Sequence, residues 1–358
     1  MISSVRSKAM EKILVVGAGM TGASVVSLLR QELPKSSSLT LWDKSNGIGG
    51  RMSTSRSNKC KGSTVDLGAQ YISATPEYQQ KHEQMYTELL DAAIFKQIDV
   101  KSMEGHQDKQ PGLKHYVVPN GISSLVKYFV NKSGSTVERS HQITSVSKDG
   151  NGVKVTTDQG LSDTFDAIVL TMPVPQILQL KGDIPSLIDG KGIRSQLEEV
   201  SYSSRFAVGL YFTPDTVLDV PWAAKYITGN PCVRYVAIDS KKRGNVSSDV
   251  GPSICVHTSA PWGLEHVEMD KDEAAQEILA HLKQVLPWLP EPAEVKGHKW
   301  RYSQVHKGYH GSPGCIVLSE SPAILLAGDG FTHSNFDGCL ESSLAVHKTL
   351  TGSLQSKV

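Results

Sequence analysis

Three glycine-containing segments of this 358-residue chain have residue types suited to close contact with phosphate. The first is Gly17-Ala-Gly19-Met-Thr-Gly22, and the others are Gly-Gly-Arg-Met at 49–52 and Ala-Gly-Asp-Gly-Phe at 327–331. Gly17 permits a tight turn, Gly19 lets the backbone approach a diphosphate, and Gly22 lets a helix pack closely on a strand. The first segment therefore predicts a dinucleotide-binding turn.

Polar side chains near this turn extend the predicted site. The Thr21 hydroxyl can bond a diphosphate held at the positive helix end. Asp43 lies about 20 residues beyond the motif, where a carboxylate accepts hydrogen bonds from ribose hydroxyls. The planar guanidinium of Arg51 suits phosphate better than a lysine does. A solvated acid at 43 and a surface ion pair at 51 are the alternatives.

The third segment indicates which dinucleotide is bound. A late Gly328-Asp329 pair opening a C-terminal helix fits a flavin, because Asp329 can bind a ribityl hydroxyl and the amides near Gly338 can face the flavin ring. We therefore predict FAD. Cys339 adjoins this helix start, where a thioether to the flavin is conceivable and an inert thiol is the alternative. Gln70 and Tyr71 either contact the flavin or pack at a strand end.

The elements that must position these residues follow from hydrophobic patterning. Ile13–Val16 is a strand, residues 23–33 a helix and Leu39–Trp42 a second strand. Further predictions are helical segments at 77–90, 123–131 and 272–286, a hairpin about 149–152, strands at 165–170, 206–212, 253–258 and 323–327, and a closing helix from 338.

These elements predict an α/β fold of two domains, in which a Rossmann-like FAD-binding domain is interleaved with a mixed-sheet substrate domain. We assign residues 11–75, 137–175 and 322–358 to the FAD-binding domain. Residues 76–136 and 176–321 form the predicted substrate domain, and 1–10 a polar N-terminal extension.

Composition excludes several classes of function. The net charge is +1, with 37 Lys and Arg against 36 Asp and Glu, so nothing favours a nucleic-acid partner. No apolar run reaches the roughly 18 residues of a membrane span. Five scattered cysteines without a CxxC pair argue against disulfides and zinc, and His306 and His310 lie in a glycine-rich segment. We predict a soluble protein without a metal.

The motifs resemble those of the flavin amine oxidase superfamily and, within it, the renalase family. The resemblance spans residues 13 to about 350 and includes VVGAGMTG, WDKSNGIGGRMST, DLGAQYI, VLTMPVPQILQL, VSYSSRFAVGLYF, VPWAAKYITGNPC, KWRYSQV and GDGFTHSNFDGC. It implies an amine-oxidase-like, p-hydroxybenzoate-hydroxylase-like fold with non-covalent FAD. It also places Thr21, Arg51, Gln70 and Tyr71 against that cofactor.

The resemblance further implies a reaction. The expected substrates are 1,2-dihydro and 1,6-dihydro isomers of NAD(P)H, which are oxidised to NAD(P)+ while O2 is reduced to H2O2. Amine oxidation between aromatic rings is the alternative, for which Trp300, Tyr302 and Tyr309 are available. A third possibility is a secreted signalling protein whose flavin is only structural.

Four residues of the predicted substrate domain are expected to face the substrate: Asn230, Arg234, His257 and Trp300. His257 stands in an apolar strand and Trp300 before the last strand, so a core role is the alternative for both. Arg234 can instead pair with a structural acid. The family is described as secreted, yet the apolar stretch after Met10 runs into the glycine turn, so cleavage there would remove the first strand. Cytoplasmic and secreted locations both stay open.

Overall fold

A computed structural model describes residues 10–108 and 110–355. The predicted N-terminal extension lies outside these residues except for Met10. The strands are β1 Lys12–Val16, β2 Ser38–Asp43, β3 Thr54–Arg56, β4 Thr64–Asp66, β5 Ile72–Ala74, β6 Lys96–Gln97, β7 Met103–Glu104, β8 Lys114–Val117, β9 Thr136–Arg139, β10 Ile143–Asp149, β11 Gly152–Thr157, β12 Ser162–Phe165, β13 Ala167–Leu170, β14 Lys181–Gly182, β15 Ser201–Tyr202, β16 Arg205–Tyr211, β17 Ala224–Tyr226, β18 Val233–Ile238, β19 Ser253–Thr258, β20 Glu294–Trp300, β21 Val305–Lys307, β22 Cys315–Glu320 and β23 Ala323–Ala327.

Helices connect these strands. They are α1 Met20–Glu32, α2 Pro76–Lys81, α3 Glu83–Asp91, α4 Ser123–Ser133, α5 Val174–Ile177, α6 Ile184–Gly190, α7 Arg194–Glu198, α8 Asp239–Arg243, α9 Ala260–Glu265, α10 Lys271–Val285 and α11 Phe336–Gln355. Two short 3-10 turns cover Val100–Ser102 and Asp329–Phe331. Within the described residues, none of the helices combines the length and apolar character that crossing a bilayer requires.

The chain divides into two compact units, each built from separated segments. Unit 1 comprises residues 1–50, 126–201 and 305–358, and unit 2 comprises 51–125 and 202–304. Packing therefore places 51–75 with the second unit, and 126–136, 176–201 and 305–321 with the first. The predicted FAD-binding and substrate domains concern ligand contacts rather than packing, so their boundaries stay a prediction.

Unit 1 contains a six-stranded sheet in the order β22-β23-β13-β1-β2-β9. All neighbours pair in parallel except β22 and β23, which are antiparallel. The central strand β1 is nearly continuous in apolar residues, as a strand covered on both faces requires. It pairs with β2 on one side and β13 on the other, so the chain reverses direction across the sheet beside β1. In such sheets, ligands bind beyond the carboxyl ends of the strands at this reversal.

A hairpin sheet of order β12-β11-β10-β14 completes the β-structure of unit 1. Asp149 pairs with Gly152 at the predicted turn, where Gly150 has φ +57°. The predicted strand at 165–170 divides at Asp166: its first residue ends β12 and the rest forms β13. Because β13 pairs with β1 in parallel, the chain returns here to the six-stranded sheet.

Unit 2 is built on a six-stranded sheet in the order β20-β16-β19-β18-β17-β7. One face packs against α10 through buried apolar residues such as Val208, Val256 and Ile278. The other face packs against the segment around Val65 and Leu67. His257 and Trp300, which are predicted to face the substrate, stand on this second face.

Most predicted elements are present with shifts of a few residues. The predicted helix 23–33 begins earlier, at Met20, and ends at Glu32, just before Leu33-Pro34. The helical stretch predicted over 77–90 is interrupted at His82 and forms two helices. The closing helix starts two residues earlier than predicted, at Phe336. The α/β fold with a Rossmann-like nucleotide-binding sheet is confirmed.

Candidate functional site

The glycine turn of unit 1 has the geometry that the sequence predicts. Gly17 has φ +109°, and a Cβ there would lie 2.5 Å from Thr171 Oγ1. A Cβ on Gly22 would lie 1.9 Å from the Gly17 carbonyl oxygen, so only glycine allows the helix to start against the turn. Gly17 N also donates to Trp42 O at 2.8 Å, which ties the turn to β2.

Gly19 differs from Gly17 and Gly22 because the space around it is open. It is the N-cap of α1, and an added Cβ would meet no atom within 4 Å. The second glycine segment lies beside it, since Gly49 N donates to Ala18 O at 2.9 Å and a Cβ on Gly50 would lie 3.4 Å from Gly19 Cα. The first amides of a helix lack intrahelical acceptors. Open space beside free amides fits a diphosphate.

The carboxylate of Asp43 ends β2 beside this turn. Its Oδ2 accepts from Ala18 N at 2.8 Å and its Oδ1 from Ser45 N at 2.8 Å. Each carboxylate oxygen can accept a further bond, so ribose hydroxyls could still be bound there. Thr21 lies in the first turn of α1 and is buried. The assignments of both residues to cofactor binding stay predictions.

The third glycine segment also lies in unit 1, after β23. Gly328 has φ +120°, and Gly328 N donates to Ser342 Oγ of α11 at 2.7 Å. Asp329 is buried and accepts from Ser334 Oγ at 2.7 Å. Gly338 stands in the first turn of α11, where a Cβ would lie 2.0 Å from His333 O. The helix therefore begins tightly against residues 333–335, and α1 meets α11 through a 3.1 Å bond from Ser343 Oγ to Thr21 O.

In unit 2, the segment Asp66–Tyr71 joins the remaining predicted site residues. The Leu67 carbonyl accepts from Trp300 Nε1 at 2.8 Å and from His257 Nε2 at 2.9 Å. Because a carbonyl only accepts, His257 carries its proton on Nε2. Burial lowers the pKa of His257 to about 4, and burial likewise lowers that of His298, whose ring centroid lies 4.0 Å from that of Trp300, to about 4. Both imidazoles are therefore neutral at pH 7.

Arg51 begins unit 2 and lies close to the same segment. Its carbonyl accepts from Ala69 N at 2.9 Å, and a Cβ on Gly68 would lie 1.9 Å from that carbonyl oxygen. The guanidinium Nη1 lies 3.4 Å from Ser303 O. The unit therefore brings Arg51, predicted for the cofactor, to the strand end that carries Trp300, predicted for the substrate.

Gln70 is held by a buried ionic network. Its Oε1 accepts from Lys242 Nζ at 2.8 Å, and its Nε2 donates to Asp66 O at 2.6 Å. Lys242 Nζ lies 2.7 Å from Asp239 Oδ1, and Arg243 Nη2 lies 2.8 Å from Asp239 Oδ2. Burial, followed by the Asp239 charge, raises the pKa of Asp66 to about 6. The network fixes the Gln70 amide in one orientation.

Tyr71 lies at the end of this segment, with its hydroxyl hydrogen-bonded to that of Tyr226. Burial, followed by Tyr226, raises the pKa of Tyr71 well above its usual value, so the phenol stays protonated. Arg234 is exposed, donates from Nη1 to Ile227 O at 2.9 Å and lies 5.8 Å from the Tyr226 ring centroid. Asn230 caps a turn, since its Oδ1 accepts from Cys232 N and Val233 N.

One residue that sequence reasoning missed is Arg205, which pairs directly with Trp300 across β16 and β20. Its Nη1 donates to Ser203 Oγ at 3.2 Å, Ser303 Oγ at 3.3 Å and Gln304 Oε1 at 2.9 Å. Burial lowers its pKa, but the group remains a cation. An arginine at the start of an apolar strand, Arg205-Phe-Ala-Val, was the available signal.

Comparisons with known proteins agree with this geometry. Residues 88–346 match the model of the flavin containing amine oxidoreductases, and residues 15–89 match an NAD(P)-binding Rossmann-like domain. The chain is 43% identical to mouse (Mus musculus) renalase over 341 residues, which cover 95% of this chain and 99% of that protein. The chain belongs to the flavin amine oxidase family and, within it, to the renalases.

Weaker matches are one sequence relative and two solved structures with a similar fold. Rice (Oryza sativa subsp. japonica) polyamine oxidase 4 is 24% identical over 194 residues, covering 52% of this chain and 36% of that protein. A structure from Exiguobacterium sp. 255-15, provisionally assigned as a protoporphyrinogen oxidase, matches with a TM-score of 0.69 at 13% identity. It covers 96% of this chain and 99% of its own. A triple mutant of putrescine oxidase matches with 0.66 at 14% identity and the same coverage.

Family membership makes the chain an FAD-dependent oxidoreductase, and unit 1 has the features that such a cofactor requires. Gly19 leaves room for a diphosphate beside the first amides of α1. The first turn of α11 follows the buried Asp329, but its amides are capped within the chain: Gly338 N donates to Asn335 Oδ1 at 2.7 Å and Cys339 N to Asn335 O at 3.2 Å. The open position beside Gly19 therefore carries the fit to a flavin dinucleotide. The residue-by-residue cofactor contacts stay predictions.

Proposed function

We propose that the protein is an oxidase that holds FAD without a covalent bond and converts 1,2-dihydro and 1,6-dihydro isomers of NAD(P)H to NAD(P)+. When bound, the flavin would accept the hydride and pass two electrons to O2, giving H2O2. The observation that carries the choice of substrate is the cation of Arg205 beside Trp300. Membership of the renalase family supports the same choice.

The charge at this strand end favours an anionic substrate. Among the described residues, the Arg205 guanidinium donates to hydroxyl and amide oxygens rather than to a carboxylate. A dinucleotide carries a diphosphate that this cation attracts, whereas a protonated amine would be repelled. The carboxylate on the same strand, Glu294, lies six residues from Trp300, about 20 Å along β20. It is also bonded to Ser57 and to the amide of Asn58.

The titration states of the surrounding residues suit a reaction without a base. A dihydropyridine that loses hydride becomes an aromatic cation, so no proton must be removed. His257 keeps its proton on Nε2 through the bond to Leu67 O, and burial keeps the phenols of Tyr71 and Tyr235 protonated. In this proposal, the side chains orient the substrate and exclude water. Trp300 offers an apolar ring against which a nicotinamide can pack.

The cofactor contacts are proposed as the sequence predicts them. Gly17, Gly19, Thr21 and Gly22 would hold the diphosphate and Asp43 the ribose. Asp329, after Gly328, and the start of α11 at Gly338 would face the ribityl and ring. Arg51, Gln70 and Tyr71 complete the predicted set. Asn230, Arg234, His257 and Trp300 are assigned to the substrate, with Arg205 added to them.

Anaerobic stopped-flow spectroscopy tests the proposal. The FAD-loaded protein is mixed with each dihydro isomer, with ordinary NADH, with a catecholamine and with putrescine, and the loss of oxidised-flavin absorbance is followed. We expect rapid bleaching by the two isomers and slow bleaching by the others. Stoichiometric H2O2 should form when air is admitted. Faster bleaching by an amine than by either isomer would reverse the assignment.

Amine oxidation is the second candidate, because the more distant relatives include a polyamine oxidase and a putrescine oxidase. The same experiment separates the two reactions. Precipitation with acid then distinguishes non-covalent FAD, which is released to the supernatant, from a thioether on Cys339, which would leave the flavin on the protein. Secretion is expected from the renalase resemblance and is tested by comparing culture medium with cell lysate.

A further inference from the structure

We propose that His106, Asp108 and His115 form a binding site for a zinc-type divalent metal ion. The three ligand atoms all lie within 4.8 Å of one another. His106 Nε2 is 2.9 Å and His115 Nε2 is 2.8 Å from the same carboxylate oxygen, Asp108 Oδ1. The cysteines and the His306/His310 pair, from which a protein without a metal is expected, are separate from these three residues.

His115 is the fixed ligand of the three. It stands on β8, directly opposite Ser73 of β5, and its side chain is only 4% exposed. Its Nδ1 lies 2.8 Å from Ser73 Oγ, which orients the ring so that Nε2 faces Asp108. Metal-binding histidines are typically held in this way, with the second ring nitrogen bonded to an outer partner.

His106 and Asp108 are supplied by the turn after β7. Gly105 has φ +74°, and a Cβ there would lie 3.1 Å from Tyr226 O, so the turn requires glycine. The His106 ring packs edge-on against the His115 ring, with centroids 5.0 Å apart at 87°. It also lies 5.8 Å from the Tyr226 ring centroid. These contacts hold the two imidazoles at the cluster before any ion binds.

The ligand set indicates the type of ion. Two imidazole nitrogens and one carboxylate oxygen suit Zn²⁺ and its neighbours better than Mg²⁺ or Ca²⁺, which prefer oxygen ligands. On binding, any proton on either Nε2 leaves to solvent, while His115 Nδ1–H donates to Ser73 Oγ. Three protein ligands leave one coordination position for water. The site would tie the turn after β7 to β8, and it does not depend on the proposed oxidase reaction.

Zinc titration tests the site on tag-free, FAD-loaded protein that has been treated with a chelator and dialysed. Binding is measured by calorimetry and by competition with a zinc-sensitive dye. We expect one Zn²⁺ per chain in the wild type. Asp108→Asn and His106→Gln should each weaken binding at least tenfold, and Ser73→Ala by about 10- to 100-fold. His310→Gln changes an exposed histidine elsewhere and should leave the affinity unchanged.

Thermal unfolding supplies an independent readout, because an ion that binds only the folded state raises Tm. Zn²⁺ should raise the Tm of the wild type and of His310→Gln, but not that of Asp108→Asn. The circular dichroism and flavin spectra establish that each variant is folded. Equal zinc affinity in the wild type, Asp108→Asn and His106→Gln would overturn the proposal, as would a lack of measurable binding by the wild type.

Discussion

Trp300 and His257 donate to one acceptor, the carbonyl oxygen of Leu67. The bonds measure 2.8 Å from the indole nitrogen and 2.9 Å from the imidazole nitrogen. A carbonyl oxygen has two lone pairs, so both bonds form together. The two donors come from β20 and β19, and they hold the segment Asp66–Tyr71 against the sheet face. Residues predicted for the substrate thereby position residues predicted for the cofactor.

A double-mutant cycle tests this shared acceptor. Trp300→Phe or His257→Leu alone leaves the carbonyl with one donor, whereas the double variant leaves it buried without either. We expect the double variant to lose more unfolding free energy than the sum of the single losses, by about 0.5–3 kcal/mol. Denaturant unfolding measures this difference. Trp300→Phe combined with His310→Leu should be additive, and additivity in the first pair would show that the bonds act independently.

His257 should make the free energy of unfolding depend on pH. Its pKa is about 4 in the folded protein, against about 6.5 in the unfolded chain, because burial disfavours the charged ring. The unfolded state therefore binds more protons below pH 6.5, so stability falls as pH drops from 6.5 to 4. Through this group, the free energy of unfolding should be about 2 kcal/mol lower at pH 5 than at pH 7.

Unfolding free energies of the wild type and His257→Leu, measured at pH 7 and pH 5, test this expectation. The wild type should lose more stability than the variant over this interval. His298 titrates in the same direction and Asp66 in the opposite one, so the comparison of the two proteins isolates His257. Parallel pH profiles would contradict the depressed pKa.

Alanine at Gly22 should destabilise the fold, whereas alanine at Gly19 should weaken FAD binding. A Cβ on Gly22 would meet Gly17 O at 1.9 Å, so Gly22→Ala should destabilise the flavin-free protein by at least about 1–3 kcal/mol. Gly19 has φ −90° and open surroundings, so Gly19→Ala should fold normally. Its methyl group would occupy space proposed for the diphosphate, and FAD affinity should fall.

Thermal unfolding of the flavin-free proteins and titration with FAD separate the two effects. Gly190→Ala in α6, at a position that also has no neighbour within 4 Å and no positive φ, is the control and should leave FAD affinity unchanged. Unchanged FAD affinity in Gly19→Ala would remove this glycine from the proposed diphosphate site.

Arg205→Gln should impair substrate binding more than the chemical step. Loss of a charge-assisted bond to a diphosphate costs about 1.5–3 kcal/mol, or about 10- to 150-fold in KM, with kcat little changed. Steady-state kinetics with a dihydro-NAD isomer measures both constants. The matching dihydronicotinamide riboside lacks the diphosphate, so its KM should be the same in both proteins. An equal rise in KM for both substrates would exclude phosphate recognition by Arg205.

The sequence predicted the parts of the fold whose signals are local. The apolar run at 13–16 and the glycine turn predict β1 and α1, and the Asp-Gly-Asn-Gly turn at 149–152 predicts the hairpin. Unit boundaries were less accessible, because the segment around Val65 and Leu67 packs on the unit 2 sheet against Ala207, which is distant in sequence. Local periodicity does not indicate such long-range packing.

The site residues also differ in whether a local signal in the sequence predicts them. Gly17, Gly19 and Gly22 were predictable because a backbone requirement dictates each of them. Arg205 was not, since its importance comes from standing opposite Trp300 nearly one hundred positions later. The cluster of His106, Asp108 and His115 likewise depends on a turn that folds back onto β8, which spacing alone does not reveal.

The order of segments in unit 1 has a consequence for biosynthesis. Strand β13 pairs with β1 early in translation, but its other neighbour, β23, is not made until residues 323–327. The nascent sheet therefore presents an unprotected hydrophobic edge while the second segment of unit 2, residues 202–304, is being synthesised. A ribosome stalled in that interval would hold a chain prone to aggregation, so chaperone demand should peak there and end when α11 emerges.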